Sequence, residues 1–98
     1  MGRTTTPMYR LETDPIRLPD GRIVASTPVA WERRYGLPTG PNIERWIRDM
    51  IASQKPGGSN AHLARAYGVI LIPNGARIIR QSTGHVVARW RAPAFMGI

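Results

Sequence analysis

Ninety-eight residues carry 14 Lys+Arg against 6 Asp+Glu, a formal net charge of +8, with 42% hydrophobic positions and no cysteine. A chain this short builds one hydrophobic core and excludes a multidomain enzyme, while its apolar content, with Trp31, Trp46 and Trp90, is too high for disorder throughout. The lack of cysteine removes disulfides, thiolate nucleophiles and cysteine-held zinc or iron–sulfur centres.

Met1 to Arg10 has no apolar stretch of the signal-peptide kind. The longest aliphatic run, Val69 to Ile72, falls far short of the ~20 residues of a membrane span. A cytoplasmic protein with no membrane partner is the expectation. Met8 to Thr13 alternates as a strand does, and Asp14-Pro15 punctuates it. Ile16-Arg17-Leu18 and Arg22-Ile23-Val24 flank Pro19-Asp20-Gly21, where Pro presets the turn and Gly supplies the left-handed residue of a hairpin. Thr27-Pro28 is suited to open a helix that sets Trp31 and Tyr35 on one face and stops at Gly36.

Beyond Pro38-Thr39-Gly40, the residues Ile43, Trp46, Ile47, Met50 and Ile51 fall at i, i+3, i+4, i+7 and i+8. That spacing predicts an amphipathic helix over about 41–54 whose stripe, Trp46 included, faces the core. Its outer face pairs Glu44 with Arg48 and Arg45 with Asp49. Pro56 and Gly57-Gly58 stop it, and Ser59 or Asn60 caps a shorter helix running to Tyr67.

Val69 to Ile72 has strand composition, and Pro73-Asn74-Gly75 turns it back. Arg77 to Gln81 and His85 to Arg91 then flank Ser82-Thr83-Gly84, the pattern of a three-residue hairpin loop ending on a left-handed glycine. This register sets Gln81 opposite His85, Ile79 opposite Val87 and Arg77 opposite Arg89. One face of the ribbon then carries Arg77, His85, Arg89 and Arg91, and the other Ile78, Val86, Ala88 and Trp90. Pro93 ends the strand, and Ala94-Phe95-Met96 is expected to pack back on the core. The expected fold is a single basic α+β domain over 1–98, with an antiparallel sheet from two hairpins and one main helix laid across it.

All six acids lie at or before Asp49, where eight arginines leave +2; the remaining +6 comes from Lys55, Arg65, Arg77, Arg80, Arg89 and Arg91 in an acid-free second half. Thirteen of the fourteen cations are Arg, the side chain suited to bidentate phosphate and carboxylate contacts, although a GC-rich genome also favours it. Genome composition does not explain why the acids stop.

Candidate chemistry is sparse. His62 and His85 have no acid near them in sequence, so solvated loop histidines account for them better than a metal site, and neither Ser59 nor Ser82 stands in a nucleophile-elbow context. No catalytic residue, metal, cofactor or small-molecule substrate is expected. Gly57-Gly58-Ser59-Asn60 is a candidate anion loop, since a glycine pair before a helix aims free amides at a phosphate, against the plainer reading of a helix connection. Trp46 and Trp90 belong to apolar stripes, which leaves Tyr9 and Trp31 as the better candidates for base stacking. No zinc-finger, basic-zipper or RNA-recognition signature occurs.

Two readings follow. In the first, a small nucleic-acid-binding protein contacts DNA or RNA phosphates through Arg77, Arg80, Arg89, Arg91 and His85, helped by Lys55 and Arg65, with little base specificity. In the second, a protein-interaction module, an accessory subunit or inhibitor of a larger complex, docks those arginines on an acidic protein surface. An exposed apolar patch beside the arginines favours the second, and arginines alone the first.

Overall fold

The computed structural model describes residues 8–26 and 28–93. Its main sheet is antiparallel, in the order β4-β1-β5-β6, built from β1 (Tyr9–Thr13), β4 (Val29–Ala30), β5 (Gly75–Arg80) and β6 (Val86–Arg91). A separate two-stranded sheet pairs β2 (Ile16–Arg17) with β3 (Ile23–Val24). The helices are α1 (Gly40–Ser53) and α2 (Ala61–Tyr67), and the result is a small α+β domain.

Helix α1 forms where the apolar period predicts it. The Thr39 side chain accepts a hydrogen bond from the Asn42 amide, and Pro41 stands in the first turn, where its missing N–H costs nothing. Ile43 and Ile47 are fully buried against Leu11 of β1, Ala76 and Ile78 of β5, and Trp90 of β6. Trp46 departs from the expected stripe. It is half-buried and packs at the margin of this cluster, because the helix turns Ile43 and Ile47 squarely onto the sheet. Glu44 and Arg48 pair at 3.2 Å as expected, but Asp49 accepts from the Tyr35 hydroxyl at 2.6 Å instead of pairing with Arg45. Tyr35 is buried and its hydroxyl needs an acceptor.

Tertiary pairing overrides local propensity in two places. The helix expected from Thr27-Pro28 is replaced by β4 and a 3-10 turn at Arg33–Tyr35, with Thr27 itself outside the described residues. The free edge of β1 captures the backbone there, pairing Arg10 with Ala30 and Leu11 with Val29, while Trp31 N donates to Tyr9 O at 2.9 Å. Val69 to Ile72 forms no strand. The buried Gln54 side chain takes both backbone groups of Leu71, accepting from its amide at 2.7 Å and donating to its carbonyl at 3.0 Å. Those groups are then lost to any ladder.

The two expected hairpins also do not share one sheet. β2–β3 forms its turn as expected, with Leu18 N donating to Arg22 O and Gly21 N to Leu18 O. The place beside β5 goes to β1, in a register running from Tyr9 opposite Arg80 to Thr13 opposite Ala76. The expected tail at Ala94-Phe95-Met96 lies outside the described residues.

Ile47→Ala should cost about 2–5 kcal/mol, as large-to-small changes at sealed core sites do, and Trp46→Ala should cost less despite its larger side chain. Urea unfolding of both variants checks the order; an equal or larger loss at Trp46 contradicts this packing.

Candidate nucleic-acid interface

The site begins with the face of the sheet that α1 does not cover. Antiparallel partners share a face, so Arg10 and Glu12 of β1, Gly75, Arg77 and Ile79 of β5, and Arg89 and Arg91 of β6 lie together there. The β5–β6 register keeps Arg77 opposite Arg89 and Gly75 opposite Arg91, as the hairpin pattern predicts.

Nearer the turn that pattern needs correction. A bulge after Ile78 sets Ile79 opposite Val86 instead of Val87, and Arg80 N donates to His85 O at 2.9 Å, so Gln81 does not face His85. The loop is therefore Gln81 to Gly84, with Gly84 at φ +76° closing it. Val86 consequently shares the open face with Ile79 instead of joining Ala88 and Trp90. The extra residue of a bulge regroups every side chain beyond it.

The cations of the open face are not equivalent. Arg10 Nε lies 2.8 Å from Glu12 Oε2, Arg77 Nε 3.5 Å from Glu12 Oε1, and Arg77 Nη1 3.0 Å from Asp14 Oδ1. A Cβ at position 75 would meet Asp14 Oδ2 at 2.8 Å, so glycine is what lets this carboxylate lean over the strand to reach Arg77. Asp14 is fixed there by its amide, which donates to Gly75 O at 2.9 Å. Four arginines against two carboxylates leave a surplus of +2, and it resides on Arg89 and Arg91, which have no carboxylate partner among the described residues. The two line a shallow depression of about 360 Å³ with Asp14, Gly75 and Arg77.

Strand β6 is the sheet's last strand, yet its edge is not bare at Arg89. Gly40, the first residue of α1, packs on the Arg89 carbonyl so closely that a Cβ would come within 2.9 Å. One residue on, Trp90 Nε1 donates to Glu44 Oε1 at 3.2 Å. Glu44 thus clamps β6 to α1 while Arg89 and Arg91 project from the opposite face. This indole donor, followed by Arg48, holds the Glu44 carboxyl below its ordinary pKa.

The other residues singled out by sequence are not gathered here. Arg80 places its guanidinium 5.7 Å from the Tyr9 ring centroid, and His85 is exposed at the turn, at the far end of β6 from Arg91. Lys55 and Arg65 line a hollow among the helices with Pro56 and Ile70. In the candidate anion loop of Gly57, Gly58, Ser59 and Asn60, Gly58 N donates to Lys55 O and Asn60 N to Ser53 O, both at 2.9 Å, while Ala61 N donates to Gly58 O at 3.2 Å. Those amides are already spent on folding the loop onto the end of α1. His62 is exposed on α2, and no cluster of three or more potential metal ligands occurs among the described residues. None of the described helices is long and apolar enough to cross a membrane.

Sequence reasoning missed Glu12 and Asp14. Their separation from Arg77 by more than sixty residues hid them, and only the alternation of Arg10 and Glu12 along one strand pointed to a mixed-charge face. Comparison with protein-family models, curated proteins and solved structures found no match.

A carboxylate whose pKa is depressed on folding adds stability above its ordinary titration range, and that contribution is lost as pH falls through the folded value. Glu44→Gln should therefore flatten the fall in Tm on acidification from neutral pH to about pH 3. A wild-type slope in the variant would show that the Glu44–Trp90 clamp does not couple to folding.

Proposed function

We propose that the protein binds nucleic acid through phosphate contacts on the uncovered sheet face, with Arg89 and Arg91 as the principal contacts and little base specificity. The observation that carries this reading is the pair's lack of carboxylate partners among the described residues, beside a neighbour, Arg77, that Glu12 and Asp14 hold. A guanidinium already bridged by two acids has little left for a phosphate. One with none gains charge-assisted hydrogen bonds and releases counterions when it meets a polyanion.

The surroundings support phosphate over an acidic protein patch. The large exposed aliphatics of β6, Val86 and Val87, lie at the turn end, away from Arg91, and the depression around Arg89 and Arg91 is lined by no exposed aliphatic side chain. Protein docking surfaces draw their affinity from a buried apolar centre, whereas phosphate contacts need none. No aromatic ring stands on the open face among the described residues, so the arginines there position a backbone without reading bases. The net charge of +8 raises the encounter rate with any polyanion.

Reversing Arg89 and Arg91 to Glu should leave Tm nearly unchanged, since exposed charges rarely alter stability by more than about 0.5 kcal/mol, and should abolish binding of labelled oligonucleotides in fluorescence anisotropy. Arg89→Ala should weaken unrelated sequences alike and lower the slope of log K against log salt by about one unit. Wild-type binding by the double reversal would remove this surface from the function. Absence of salt-dependent binding to DNA or RNA by the wild type would leave the acidic-protein reading in its place.

A further inference from the structure

A second concavity, of about 570 Å³, opens where β4 meets the start of β1. Tyr9 and Trp31 line it with Met8, Ala30, Leu37 and Pro38, and Arg33 stands at its rim. Met8 and Leu37, 62% and 74% exposed, stand together at this hollow. The aromatic walls are held in place. Trp31 Nε1 donates to Gly36 O at 3.0 Å, its ring lies 5.7 Å from that of Tyr35, and the Arg80 guanidinium braces the Tyr9 ring. Trp31 and Tyr9 are each only half-buried, so part of each ring is open to the hollow.

Resting on the phosphate reading of the open face, we propose that this hollow takes a base of the same single strand, stacked on Trp31 and Tyr9 between the flanking Met8 and Leu37 side chains. Three observations select this occupant over an apolar peptide side chain. The hollow reaches the β4 border of the open face: Ala30, which lines it, is the cross-strand partner of Arg10, while Tyr9 and Trp31 pack on the α1 side of the same sheet. Cations surround it: Arg33 lies on its rim and Arg80 against its Tyr9 wall, neither with a carboxylate partner among the described residues. Its reach also suits a strand. From Ala30 to Arg91 the path runs four residue steps of about 3.3 Å along the strands and three spacings of about 4.8 Å across them, close to 20 Å on the diagonal. A strand that covers that distance and turns over the β4 edge to reach the rings needs more than about four nucleotides, within the range of single-strand site sizes. The open face supplies phosphate contacts without rings, and the hollow supplies rings across its β4 edge, the two parts that sequence-tolerant single-strand binding combines.

The test compares a labelled oligothymidylate with an abasic strand of equal length on the wild-type protein. The phosphates are the same and only the bases differ. The abasic strand should bind at least about fivefold more weakly, the lower end of what one base stacked on an aromatic ring contributes. Trp31→Leu should erase that difference while leaving abasic affinity unchanged. Leu37→Ser, at a side chain too exposed to matter for folding, should reduce it. Arg89→Ala with Arg91→Ala should weaken both strands. Equal wild-type affinity for the two strands overturns the base site and leaves the phosphate reading standing, as does a difference that survives Trp31→Leu. Failure of both strands to bind overturns the phosphate reading and the base site with it.

Discussion

A four-stranded sheet has two faces, and among the described residues α1 packs on one of them. Ile43 and Ile47 settle which, by sealing Leu11, Ile78 and Trp90 beneath α1. No described helix forms a second layer on the other face. That face alternates instead: Arg10, Glu12 and Arg77 occupy positions that a two-layered sheet would fill with aliphatic residues, and Ile79 stays buried among them. The ion lattice of Glu12, Asp14, Arg10 and Arg77 occupies that face.

The same arrangement separates structural charge from available charge. By sequence, the acid-free second half presents Arg77, Arg89 and Arg91 as equals. Folding lays β1 beside β5, delivers two of the first half's acids to Arg77, and leaves Arg89 and Arg91 one strand further out. Arginine on an outer strand also keeps sheets from joining edge to edge, and Gly40 against the Arg89 carbonyl contributes to the same protection. The proposed phosphate contact uses charges that the fold already places at its border.

The elements set by local pattern were legible in the sequence: α1 by its apolar period, β1 by alternation and the β2–β3 turn by Pro19 and Gly21. The opposition of Arg77 and Arg89 was also expected, but from a three-residue loop; it holds because the bulge offsets the longer loop Gln81 to Gly84. Elements set by distant partners were not. Val29 and Ala30 become a strand because β1 has a free edge, and Leu71 stays out of a strand because Gln54 occupies its backbone. The bulge that moves Val86 to the open face leaves no mark in a run of similar residues, His85-Val86-Val87-Ala88. At the site, the two available arginines were visible, while the acids that single them out came from a strand with no sequence proximity to them. Tyr9 and Trp31 were recognisable as rings outside the apolar stripes, but their common hollow depends on the β4–β1 pairing.

The central claim is that the uncovered face of the sheet, and not the helical layer, meets the polyanion. Amide chemical shifts followed during titration of the nitrogen-15-labelled protein with an oligonucleotide locate that contact residue by residue. The account predicts the largest shifts along β6 at Arg89 to Arg91 and across to Arg77, with α2 and the Lys55 loop unchanged. Shifts centred on Lys55, His62 and Arg65, with β6 silent, would contradict it.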